Sequence, residues 1–335
     1  MNLTRPNQPA YAGIVTFSQV PLVLDPAELG GADVVVVGAP IDETTVVRPG
    51  TRYGPRGIRT AGYGAGLPNM DLGVSPFDEL TVLDHGDAPV VPADAAKSHE
   101  AIRRTVSDIM SAGAIPVVLG GDHSIAHPDV GAVAEALRPA EVGLIHFDAH
   151  ADDAKDLYGV VRSHGTPMRL LVEEGSINGE NVVQVGLRGY WPGPEEFEWA
   201  RGQGFRWHLM EEIHERGIRP VTEDLIAGMV GLDHVFLSVD IDVCDPAFAP
   251  GTGAPEPGGL SARDILWCVR RIACELPVAG MEVVEVSPPY DNAEITALLA
   301  HRVVLEVMSG VALRKTGREP KPERDARSLR PTPRG

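Results

Sequence analysis

Apolar residues fall in short blocks, separated by longer stretches in which they recur at helical spacing. Val34–Val37 is a run of four valines leading into Gly38-Ala-Pro-Ile-Asp42. Leu80–Leu83, Ile115–Leu119, Val142–Phe147, Val182–Val185, His234–Val239 and Val278–Val286 are similar blocks bounded by Gly, Pro or Asp. Such blocks read as buried strands. Between them, Ala95–Ala112 carries Ile102, Val106, Ile109 and Met110 on one helical face. Further helices are expected at Val130–Leu137, Thr166–Glu174, near 194–203 and 221–230, at Ser261–Leu276 with Ser261 as N-cap, and at Ile295–Leu313.

Strands alternating with helices imply a mostly parallel sheet covered on both faces. No internal repeat or interior linker divides the 335 residues, so one domain is expected over 31–314. Residues 1–30 are Pro-rich with little periodicity and read as an extension packed on that domain. Residues 315–335 form a basic tail, seven Lys/Arg against three Asp/Glu, expected to be disordered in isolation. The segment Arg48-Pro-Gly-Thr-Arg52-Tyr-Gly-Pro-Arg56-Gly-Ile-Arg59 is either an ordinary turn cluster or a contact for an anion or a partner.

Composition narrows the class. A formal charge of −18 argues against a nucleic-acid surface and mildly favours cationic ligands through long-range steering. Cys244, Cys268 and Cys274 are too few and too irregular for a disulfide framework or a Cys-based zinc site. They read as reduced and mostly buried, which suggests a cytoplasmic enzyme. The N-terminus lacks the features of a signal peptide, and no apolar run approaches the ~20 residues needed to span a bilayer.

Polar clusters follow four of the predicted strands. His123 comes after the third; Asp148, His150 and Asp152 after the fourth; Asp240 and Asp242 after the strand ending at Val239; Glu285 at the end of the last. Ligands of parallel α/β sheets bind beyond the carboxyl ends of strands. The i, i+2, i+4 spacing of Asp148, His150 and Asp152 would point all three the same way in extended chain. Two histidines with several carboxylates and no thiolate form a hard, mixed oxygen and nitrogen donor set, which suits Mn2+, with Fe2+, Co2+ or Ni2+ as alternatives. Four aspartates exceed the charge of one divalent ion, so two metals are expected, able to hold a nucleophilic hydroxide between them. Of the neighbouring residues, His146 reads as a satisfied core histidine, Asp122 and Asp245 as turn formers or supports for the ligands, and Cys244 as buried.

Gly-Gly-Asp-His-Ser at 120–124, Asp-Ala-His-Ala-Asp at 148–152 and Ser-Val-Asp-Ile-Asp-Val-Cys-Asp-Pro at 238–246 resemble the three signatures of the ureohydrolase family, from Tyr11 to about Leu313. The resemblance implies a three-layer α/β/α sandwich of the arginase/deacetylase type, assembled as a homotrimer or homohexamer. It implies one Mn2+ on His123, Asp148, Asp152 and Asp240, and a second on Asp148, His150, Asp240 and Asp242. It further implies that Asp152 accepts a hydrogen bond from the bridging hydroxide, that Glu285 grips the substrate guanidinium and that His164 shuttles a proton. The implied reaction is attack of that hydroxide on the guanidinium carbon, giving urea and an amine.

Gly13-Ile-Val-Thr-Phe17 and Ser287-Pro-Pro-Tyr-Asp291 resemble the agmatinase and guanidinobutyrase branch. Thr44 stands where that branch usually has Gly, near the expected pocket mouth. Agmatine is the first substrate expected, in keeping with the acidic charge. Guanidino acids follow, as in guanidinobutyrase or proclavaminate amidinohydrolase, with Arg162 as a partner for a carboxylate tail. The tail should meet the loop 153–162 and Tyr190-Trp191-Pro. A one-zinc deacetylase-like enzyme and a non-catalytic assembly subunit are the readings from other classes.

Overall fold

The structure, a computed structural model, describes residue 9, residues 11–62 and residues 68–317. Eight strands form one sheet: β1 (Val34–Ala39), β2 (Val82–Asp87), β3 (Ile115–Gly120), β4 (Val142–Phe147), β5 (Val182–Val185), β6 (Arg206–His208), β7 (His234–Asp240) and β8 (Val278–Val284). Their order is β2-β1-β3-β8-β7-β4-β5-β6, and every pairing is parallel. Each face carries its own apolar core beneath the helices, giving the three-layer α/β/α arrangement. β1, β4 and β8 are buried along their whole length, as expected of strands covered on both sides.

The four strands preceding the polar clusters, β3, β8, β7 and β4, are adjacent at the centre of the sheet. Their register levels them: Phe147 lies opposite Val239, Val239 opposite Val283, and Val283 opposite Leu119. Four chains therefore leave the sheet at one height. The site is built where they do.

Most predicted elements are present with shifted ends. The helix around Val130 starts at Ala126, and Ser261 caps its helix by accepting from the Asp264 N–H at 3.2 Å. β6 was not expected, because Arg206-Trp-His has no apolar run; it is a short edge strand. β2 begins two residues later than expected and runs through Asp84, a residue with 0% exposure. A carboxylate is tolerated there because Arg59, also buried, donates to Asp84 Oδ2 at 2.9 Å and Oδ1 at 3.0 Å, and to Asp87 at 2.6 Å. The Phe17 and Gly86 N–H groups complete the shell of Asp84.

Arg59 ends a helix, Gly54–Thr60, so the arginine-rich segment is structural in part. Arg52 pairs with Asp42, while Arg48 lies over the Tyr290 ring, 5.5 Å from its centroid. In the N-terminal stretch Phe17 is fully buried, stacked on His301 at 4.2 Å. Residues 1–8, 10 and 318–335, which hold parts of the expected extension and nearly all of the basic tail, lie outside the described residues.

The last helix, Ile295–Thr316, is longer than expected and ends where Gly317 turns left-handed. Its 22 residues, with an 18-residue window of mean hydropathy 1.5, are long and apolar enough to cross a membrane. Arg302 and Glu306 interrupt the apolar run, which hides this in the sequence. In the fold 72% of that window is buried inside the protein, so it serves as a core helix.

Removing Arg59 takes away the counter-ion of the buried Asp84 and leaves it only the Phe17 and Gly86 N–H groups. Arg59→Ala is therefore expected to lower the unfolding free energy by about 3–5 kcal/mol, measured as a shift of the urea midpoint at constant slope.

Candidate metal centre

The exit of β3 starts the site. Gly121 is required because a Cβ there would lie 2.1 Å from the Ile41 carbonyl oxygen. Asp122 then forms the turn: its Oδ1 accepts from the Ser124 N–H at 3.1 Å, and its Oδ2 accepts from the Thr44 N–H at 3.1 Å. That turn directs His123 inward, where it is fully buried. Its Nδ1 faces three carboxylate oxygens: Asp152 Oδ2 at 3.0 Å, Asp148 Oδ2 at 3.1 Å and Asp240 Oδ2 at 3.3 Å.

After β4 the chain does not stay extended. The Asp148 carboxylate accepts the His150 N–H at 2.6 Å, and Asp152 is left-handed with φ of +49°. Asp148, His150 and Asp152 still converge, through a turn closed on Asp148 rather than by strand alternation. His150 Nδ1 lies 3.1 Å from Asp242 Oδ2 and 3.4 Å from Asp148 Oδ1. From β7, Asp240 accepts the Asp242 N–H at 2.8 Å, and Asp242 accepts the Ala149 N–H at 3.1 Å. His146 is fully buried, bonded to Asp148 Oδ2 at 2.8 Å and to Gln184 at 3.2 Å.

Two groups of donor atoms result. One comprises His123, His146, Asp148 and Asp152, the other Asp148, His150 and Asp242; within each, the donor atoms lie no more than 4.8 Å apart. Asp148 belongs to both. The electrostatics show the strain of such a cluster. Burial, then Asp242 and Asp148, pushes the Asp240 carboxyl well above the usual range. Burial, then Asp148, lifts Asp242 to about 6. Burial opposes charge on Asp148 and on the histidines too, yet hydrogen bonds from His123, His146 and His150 hold Asp148 well below the usual range. His150 is raised to about 12 against burial, chiefly by Asp242 and Asp148. With nothing but protons available, the imidazoles must carry the compensating charge. Divalent cations do this better, and the donor set fits them: His123 Nδ1 has no well-aligned hydrogen bond despite its three carboxylate neighbours. Burial pushes the Cys244 thiol up, so it offers no thiolate.

Above the cluster, Glu285 is left-handed at φ of +60°, an outlier of the kind found at functional sites. Its Oε1 accepts from the His123 N–H at 2.9 Å and faces His164 Nδ1 at 3.3 Å. Gly253 approaches Oε2 closely; a Cβ there would stand 3.3 Å from that oxygen and 3.2 Å from the Arg48 carbonyl oxygen, tighter than an ordinary contact. Burial disfavours charge on His164, but Glu285 outweighs it and raises the imidazole to about 9. The hydroxyls of Thr44 and Thr45 are buried without hydrogen-bond partners. On the rim, Trp191 lies 6.1 Å from His150, and Arg162 pairs with Glu174 at 3.4 Å.

The arginase family model matches residues 32–310. The chain belongs to the arginase family. It is 40% identical over 301 residues to guanidinobutyrase from Pseudomonas aeruginosa, covering 90% of this chain and 93% of that protein. It is 40% identical over 279 residues to mitochondrial agmatinase from Gallus gallus, covering 83% and 81%. Among solved structures it superposes on proclavaminate amidinohydrolase from Streptomyces clavuligerus with a TM-score of 0.84 at 39% identity, covering 92% of this chain and 100% of that one. This ureohydrolase thus hydrolyses guanidino C–N bonds, with a buried His/Asp cluster compatible with a binuclear metal site.

All eight site residues expected from the sequence meet in this one region. Two buried acids beneath His123 were not anticipated. Glu282 of β8 and Asp129 of the following-strand helix, Ala126–Leu137, both have 0% exposure. Burial, then Glu282, holds the Asp129 carboxyl well above the usual range. A single acid inside an apolar strand, and one inside an apolar helix, carry no motif.

Asp148→Asn, which alters the donor common to both groups, is expected to reduce bound divalent metal from about two per chain to below one, read by elemental analysis of dialysed protein. A second outcome concerns pH. Because His164 is raised to about 9 from 6.5, its pairing with Glu285 stabilises the metal-free protein fully below pH 6.5 and is lost as pH rises through 9. The difference in melting temperature between metal-free wild type and His164→Asn should shrink over that interval.

Proposed function

We propose that this ureohydrolase binds two Mn2+, one on His123, Asp148, Asp152 and Asp240 and one on Asp148, His150, Asp240 and Asp242. The carrying observation is the pair of donor groups that share Asp148; the absence of thiolate supports Mn2+ over zinc. When bound, such a pair supplies a hydroxide nucleophile at neutral pH by lowering the pKa of water. The protein's own groups do the rest. Glu285 receives the planar guanidinium on Oε2, the oxygen that His123 and His164 do not engage, and aims its central carbon at the cluster. A guanidinium there competes with His164 for Glu285. The imidazole, no longer held up by that carboxylate, falls towards neutrality and can pass a proton to the leaving amine. The Val46 N–H, 3.4 Å from His164 Nε2, opposes a proton on that nitrogen and favours transfer in the same sense.

For the substrate tail, local charge weighs more than the net −18, since field from distant charges is screened beyond about 8–10 Å. Arg162, the sequence-based candidate, faces Glu174. Arg48 lies on the rim over Tyr290, its carbonyl beside Gly253, and it pairs with no carboxylate among the described residues. That free cation supports a guanidino acid such as 4-guanidinobutanoate, releasing 4-aminobutanoate and urea. Agmatine, cleaved to putrescine and urea, is the second reading, supported by the acidic chain. Family membership supports one catalytic domain over 31–314 and a homotrimer or homohexamer. The free thiols of Cys244, Cys268 and Cys274 fit a cytoplasmic location.

Urea release from the Mn2+-loaded enzyme should be measured with 4-guanidinobutanoate, 3-guanidinopropanoate, agmatine and arginine. The guanidino acids are expected to give the highest kcat/KM. Arg48→Met should raise KM for the preferred acid about tenfold, the loss of one charge-assisted hydrogen bond, and leave agmatine within about twofold. Preference for agmatine, with Arg48→Met indifferent, assigns the second reading; no urea from any compound defeats the catalytic one.

A further inference from the structure

Beneath the cluster lies a polar floor that the reaction does not use. In β8, Glu282 pairs in register with Ser238 of β7 on one side and with Val118 of β3 on the other, at the centre of the sheet. Neither of its oxygens has a well-aligned hydrogen bond, and Asp129 Oδ2 is in the same condition. Burying a carboxyl without partners costs stability that an apolar residue of similar size would not. What Glu282 does reach is His123: its Oε1 lies 3.7 Å from Nε2, and Ser238 Oγ lies 2.9 Å from the same nitrogen.

A histidine that gives one ring nitrogen to a metal keeps its proton on the other, and that proton needs an acceptor to hold the ring still. Here Nδ1 faces Asp148, Asp152 and Asp240. Nε2 therefore carries the hydrogen and points into the floor made by Ser238 and Glu282.

We propose that Glu282 is a positioning residue for His123, acting with Ser238 to fix the ring so that Nδ1 is presented to the metal on the His123 side of the cluster. The inference rests on the binuclear reading and adds a residue outside the donor set. It also separates the two metals, because His150, on the other side, makes no contact with this floor. Its ring lies against Asp148, Asp242 and Trp191.

The test compares Glu282→Leu, which removes the carboxyl while keeping much of its bulk, with Glu282→Gln, which retains an acceptor oxygen. Mn2+ stoichiometry and affinity are read by elemental analysis after dialysis against buffered metal, and Co2+-substituted protein is read by its visible absorption. Wild type is expected to hold two metals. Glu282→Leu should hold one at the same free metal concentration, with the second weakened about 10–100-fold and the Co2+ bands altered. Glu282→Gln should recover affinity to within a few-fold. A purely structural Glu282 predicts instead a Glu282→Leu protein of equal or greater stability with both metals bound at wild-type affinity and an unchanged spectrum, which would overturn the inference alone. Should leucine not be accommodated, Ser238→Ala is expected to show the same loss of one metal, and unaltered affinity there overturns it equally. A wild type that takes up no divalent metal overturns the binuclear reading, and this inference with it.

Discussion

Mutual repulsion among buried carboxylates is the constraint around which this molecule is organised. Asp148, Asp240 and Asp242 are each at most 2% exposed, and Asp152 is 6% exposed beside them. Four such groups at the end of an apolar sheet cannot all be charged unless positive charge lies among them. Three imidazoles occupy the same volume, and the carboxylates drive His123 and His150 towards the charged form against burial. A cluster so arranged is a poor proton store and a good cation site. The surrounding structure holds these side chains in place: the Asp122 turn, the Asp148 turn, the left-handed backbone at Asp152 and Glu285, and the N–H groups of Ala149, His150 and Asp242.

The sheet makes that rigidity possible. Parallel strands in register end at one level, and the order β3-β8-β7-β4 sets four endings side by side. Helices on both faces exclude water from all of it except the mouth. Farther out, the ion pair of Arg59 with Asp84 joins the Gly54–Thr60 helix to the edge of the sheet. The loop 42–53 that bears Thr44, Thr45 and Arg48 therefore starts and finishes on fixed supports. The His/Asp cluster is deeply buried, whereas Arg48 and Arg162 on the rim are exposed.

Much was legible in the chain. The valine-rich blocks and their spacing determined a parallel α/β sheet, since a strand buried on both faces reads as continuous apolar sequence. The aspartates and histidines immediately after those blocks pointed to a hard metal site, because so many oxygen and nitrogen donors at neighbouring strand ends call for compensating positive charge. Ser261 announced its helix by the ordinary logic of capping. β6, with only Arg206-Trp-His, and the true extent of β2 through Asp84 were hidden, since one depends on its neighbour and the other on Arg59, 25 residues away.

Tertiary structure alone decided which groups touch. Strand order is not written in local pattern, so the adjacency of β8 to both β3 and β7, and with it the approach of Glu285 to His123 and His164, had to be seen. The convergence of Asp148, His150 and Asp152 was foreseen, but it comes from a side-chain-closed turn, which depends on Asp148 accepting a specific N–H. Arg162 and Arg48 look alike in sequence; their difference is that Glu174 happens to lie beside one and Tyr290 beside the other. Glu282 and Asp129 are ordinary letters in apolar segments, and only packing brings them beneath the same imidazole. Periodicity reports which face is buried, while contact between distant segments is a property of the folded whole.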